Sequence, residues 1–138
     1  MKAVISRFLM VAALAMAMPL QAQAAETQSL HDLMEAFDSA YKGFRKETDA
    51  EKALPLVRDA QEASLQSISI LPPMLVKMPD GPAKVKAAAT YRNMMAEVYL
   101  TLTRIELAYI TDDLEAVAEH VAEIRNARRV GHEQFMEE

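Results

Sequence analysis

The sequence has 138 residues with 20 acidic and 15 basic side chains and no cysteine. The missing thiols exclude a disulfide scaffold, thiolate zinc sites, iron–sulfur clusters and haem attached through thioethers. The acidic balance disfavours binding to nucleic acid or anionic lipid, and three glycines and six prolines are too few for an all-β domain.

The chain opens as a secretory leader. Lys2 and Arg7 are followed by an apolar run from Phe8 to Leu20 and by the small residues Ala22-Gln23-Ala24. The run is too short to span a bilayer permanently and reads as a signal peptide over 1–24, cleaved there or one residue on, after Ala25. One compact domain over 25–138 is then expected, in an exported, bacterial-type protein. All 20 acidic residues and 13 of the 15 basic ones fall after the leader, so the mature protein is more acidic than the full sequence.

A first helix is predicted from about Ser29 to Glu47, with Leu30, Leu33, Met34, Phe37, Tyr41 and Phe44 on one face and Ser29 as its cap. Thr48-Asp49-Ala50-Glu51 reads as a turn carrying a capping box. A second helix covers roughly Ala50 to Leu71 with Leu54, Val57, Leu65 and Ile68 inward. Pro55 predicts either a kink or a true start near Leu54. Pro72 to Pro82, with four prolines, reads as an extended connection. A third helix follows from about Ala83 to Ile110, where Ala88, Tyr91, Met95, Val98, Leu102, Ile105 and Tyr109 step by three and four. Asp112 and Glu115 suggest a second capping box. A fourth helix with Leu114, Val117, Val121 and Ile124 inward ends near Phe135. Four amphipathic helices with two short connections make an all-α, antiparallel up-down-up-down four-helix bundle.

In that topology the start of the first helix and the end of the fourth share one end with the proline segment. Met34 and His132 lie roughly 7 to 9 Å from that end at 1.5 Å per residue, both on core-facing stripes. The fourth helix breaks its stripe there with Arg128, Gly131 and His132 before resuming at Phe135. Buried polar groups need partners. A haem supplies iron for the imidazole and a propionate for the guanidinium, and Gly131 lets a flat ring approach the backbone. A thioether and an imidazole fill both axial positions of haem iron, which favours single-electron transfer over catalysis. The structural alternatives are core filling for Met34 and a solvated helix end for Arg128 and His132. His31 reads as a solvated side chain, His120 as a surface or half-buried group, and Met74 and Met78 as cover for the open end. No Glu-x-x-His pair, phosphate loop or Gly-x-Ser-x-Gly motif occurs.

Four places carry a family resemblance: Leu33-Met34-Glu35; Pro72-Pro73 with Pro79-Asp80-Gly81-Pro82; Tyr91-Arg92; and Arg128-Arg129-Val130-Gly131-His132-Glu133-Gln134-Phe135. In their order and spacing the chain resembles the soluble periplasmic cytochrome b562 family. The resemblance implies one non-covalent b-type haem (protohaem IX) with Met34 and His132 as axial ligands, in a small periplasmic electron carrier that is not an enzyme. Leu30, Phe37, Pro72, Pro73, Tyr91, Met95 and Arg128 are the expected pocket neighbours. Met95 stands where a second pocket aromatic is common. Met136-Glu137-Glu138 replaces the family's frequent basic end, which leaves Arg128 as the candidate for a propionate. The acidic surface suits a redox partner with a basic docking face. The competing expectation is a haem-free periplasmic bundle that binds a metal ion or a client protein.

Overall fold

Each helix begins where a side chain caps its free N–H groups or a proline leaves one fewer to satisfy. In the computed structural model, which describes residues 28–136, Ser29 caps α1 (Leu30–Phe44) through a reciprocal box with Asp32. The expected leader lies outside the described residues. Asp49 caps α2 (Ala50–Ser67) by accepting from the Glu51 N–H at 3.0 Å, while Glu47 accepts from the N–H groups of Thr48 and Asp49. The expected Thr48–Glu51 box is replaced by this pair of carboxylates. Pro55 stands inside α2 on its exposed side, and the helix starts well before it, at Ala50.

The segment expected to be extended contains a short helix, α3 (Pro73–Lys77), with proline in its first position, where no N–H is needed. Gly81, at φ 154°, makes the turn into α4 (Pro82–Ile110) in a region closed to side chains with a Cβ. Asp113, rather than Asp112, caps α5 (Leu114–Phe135) by accepting from the Ala116 N–H at 3.0 Å. Asp112 takes the left-handed turn conformation, φ 57°.

The four long helices form the antiparallel bundle. All seven predicted α4 seam residues are buried. The predicted stripe of α2 is corrected: Leu65 is exposed, and Ala53, Val57, Ala60, Ala63, Ser64 and Ser67 form the buried face. Small residues there let α1 come close, and Ser64 and Ser67 satisfy their hydroxyls on the helix's own carbonyls, Gln61 and Ala63. Leu114 is also exposed, at the first turn of α5. The close backbone seams are α1/α2, α2/α4 and α4/α5. The α1/α5 seam that closes the ring is wider and is bridged by side chains.

Candidate functional site

The bundle buries two apolar clusters. The larger one runs along the four long helices and includes Phe37, Tyr41, Phe44, Leu102, Ile105 and Ile124. The smaller one lies at the end where α1 starts and α5 finishes. Leu75, Tyr91, Met95 and Phe135 are buried in it, with the half-buried thioethers of Met34, Met74, Met78 and Met94 packed around them. Four flexible, polarizable side chains give this end a lining that can repack.

Tyr91 ties three elements together there. Its hydroxyl donates to the Ser67 carbonyl at the end of α2 at 3.0 Å, and its ring meets Phe135 of α5 edge to face with centroids 5.4 Å apart. Burial pushes the phenol up to about 12 from its ordinary 10.0. Pro72 is buried where it starts α3, Pro73 is exposed beside it, and α3 lays Leu75 against Tyr91 and Met95.

Arg128 has a protein partner. Its guanidinium donates to the Asp38 carboxylate of α1 and lies 4.9 Å from the centroid of the Tyr41 ring. Asp38 also takes Lys42 at 2.5 Å. The hydrogen bond from Lys42, opposed by partial burial and reinforced by Arg128, holds the Asp38 carboxyl below its usual range. The break in the α5 stripe at Arg128 is therefore satisfied within the bundle. Gly131 likewise has a neighbour. A Cβ there would stand 3.0 Å from Cε and 3.2 Å from Sδ of Met94, so the missing side chain makes room for a thioether of α4.

The Arg128–Asp38 bridge joins the two helices that carry the candidate ligands. Met34 precedes Asp38 by four residues and His132 follows Arg128 by four. In antiparallel helices one turn back on α1 matches one turn forward on α5. Met34 and His132 therefore lie at one level across the α1/α5 seam. Met34 is half-buried; His132 is exposed, and its imidazole has no hydrogen bond or ion pair among the described residues. Tyr41 adds, in the same seam, a buried hydroxyl with no hydrogen-bond partner among the described residues.

Of the residues expected around the site, the smaller cluster brings together Met34, Tyr91 and Met95, with Pro72 in the turn that leads into α3. Leu30 is half-buried at the first turn of α1. Phe37 belongs to the larger core, Pro73 faces water, and Arg128 is held by Asp38. Sequence reasoning missed Asp38, Leu75 and Met94. The mirrored four-residue spacing of Met34–Asp38 and Arg128–His132 was the signal available for the first. Leu75 and Met94 carry no signal without knowledge of how the proline segment folds.

A wide seam, a thioether and a free imidazole at one level, and a methionine-lined apolar end fit a flat, apolar, iron-bearing group. The sequence has no thiol through which such a group could be attached covalently. Residues 29–136 match the family model of cytochrome b562, and the chain belongs to that family of haem-binding electron carriers. No curated protein matches it in direct sequence comparison.

Proposed function

We propose that the protein is a periplasmic single-electron carrier that holds one b-type haem non-covalently, with Met34 and His132 as its axial ligands. The observation that supports this reading is the Arg128–Asp38 bond, from which the four-residue spacings put positions 34 and 132 at one level of the α1/α5 seam. Tyr91, Met95, Leu75 and Phe135 would wall the group from water, and the half-buried methionines would shift to admit it. Thioether–imidazole ligation supplies one-electron chemistry at a raised potential and leaves no open position for a substrate. The leader at 1–24 would deliver the chain to the periplasm. The excess of carboxylates would speed encounter with a basic partner, an effect that salt suppresses.

The test is a haemin titration of the mature protein followed in the visible spectrum. One equivalent with sharp low-spin ferrous bands, lost in both Met34→Ala and His132→Ala, is the expected result. Weak binding, or bands unchanged in the two variants, overturns the ligand assignment. The second reading, a haem-free bundle with a metal or client protein, draws on two observations: Arg128 is already satisfied by Asp38, and His132 is exposed. It predicts no stoichiometric haemin uptake.

A further inference from the structure

The α1/α5 seam is held differently from the other three. Its backbones stay apart, and Asp38 and Arg128 bridge it with side chains that are each only partly exposed, 27% and 30%. An ion pair shielded to that degree is screened less than a surface pair. Around it lie Lys42, on the same carboxylate, and Tyr41, whose ring carries Arg128 on it and has Arg45 at 5.8 Å. Among the described residues Asp38 is the one carboxylate bonded to Arg128. The pair stands one helical turn from Met34 on α1 and one turn from His132 on α5.

We infer that Asp38 is a positioning residue for the Met34–His132 pair: by holding Arg128 it fixes the α1/α5 register and cancels a cation beside the site. This rests on the haem reading above for its electrostatic half. Reduction of ferric iron removes one positive charge, so an uncompensated guanidinium one turn away favours the ferrous state, and the Asp38 carboxylate offsets that preference. The register half concerns the protein alone. Among the described residues no other hydrogen bond or ion pair joins α1 to α5.

Two measurements test it. In haemin-loaded protein, Asp38→Asn is expected to shift the ferrous-to-ferric ratio by about tenfold toward ferrous, roughly 59 mV upward. Arg128→Gln shifts the potential the other way, and the double variant returns close to the original value. A role in stability alone would lower the unfolding temperature and leave the potential in place. In haem-free protein, Met34→His sets two imidazoles at one level, and Zn(II) should raise the unfolding temperature of that variant. Adding Asp38→Asn is expected to weaken its Zn(II) affinity by about tenfold. Potentials identical in all variants, or Zn(II) affinity indifferent to Asp38, overturns the proposal. If the unaltered protein takes up no haemin, the electron-carrier reading fails, and the Zn(II) measurement alone still decides whether Asp38 sets the register.

Discussion

Gly131→Ala separates two reasons for a glycine beside the candidate histidine. In a helix interior alanine is favoured over glycine by about 0.8 to 1.0 kcal/mol, and Gly131 lies within α5, four residues before its last residue. Against that gain stands the new Cβ, which would meet the methyl and sulfur of Met94 at 3.0 and 3.2 Å. That contact is too close by a few tenths of an ångström, but the obstructing atoms are the far end of a flexible, half-buried side chain. Rotation of Met94 should limit the cost to about 0.5 kcal/mol or less. The net expectation is stabilisation of the haem-free protein by about 0.5 kcal/mol, a rise of roughly 2 to 4 °C for a domain of this size. Thermal unfolding followed by circular dichroism measures it. Because Gly131 faces Met94 of α4, haemin affinity should stay within about twofold of the original, on the order of 0.4 kcal/mol. Destabilisation by more than about 1 kcal/mol would show Met94 to be pinned. A tenfold loss of haemin affinity with stability retained would show instead that the gap serves the cofactor.

Tyr91→Phe and Tyr109→Phe make a matched pair at opposite ends of the bundle. The first removes a bond to the Ser67 carbonyl, and the second removes bonds to the Phe44 and Glu47 carbonyls at 3.1 and 2.8 Å. Each should cost about 1 kcal/mol in denaturant unfolding, while haemin affinity falls only in Tyr91→Phe; equal effects on binding would refute the placement of the site. The raised Tyr91 pKa gives a pH dependence of known sign. The phenol is harder to ionise when folded, so its contribution is whole below pH 10 and is lost as pH rises toward about 12; ultraviolet titration of wild type against Tyr91→Phe should show it. Pro55→Ala restores an N–H able to bond the Glu51 carbonyl and removes the ring clash inside α2. It should stabilise by about 1 to 3 kcal/mol, and unchanged chemical denaturation would mean that α2 already bends around the proline at no cost.

Most of the fold was legible because it depends on local chemistry. The 3-4 spacing of α4 placed seven buried residues correctly, since a bundle helix has one inward face whatever its neighbours are. Ser29 announced the start of α1 for the same reason. Failures came where a partner outside the local window decides. Leu65 looked like core by its chemistry, but α2 turns a row of alanines and serines inward because α1 packs close. Four prolines suggested an extended strap, yet Pro73 occupies the one helical position that needs no N–H, and a five-residue helix grows from it.

The candidate site shows the same division more sharply. Met34 and His132 could be matched from their distance to one end, because helix rise is constant. Arg128 could not be understood from α5 alone. Its position on an apolar stripe calls for an anion, and a haem propionate is the anion that the stripe's break suggests. The protein supplies one of its own in Asp38, ninety residues earlier in the chain. Once that bond is known, the two four-residue spacings become one fact. Asp38 lies a turn inward from Met34, Arg128 lies a turn inward from His132, and the ion pair and the candidate ligands occupy successive levels of the same two helices. The arginine expected to contact the cofactor is held instead by Asp38, one turn from the residue proposed as a ligand on each helix.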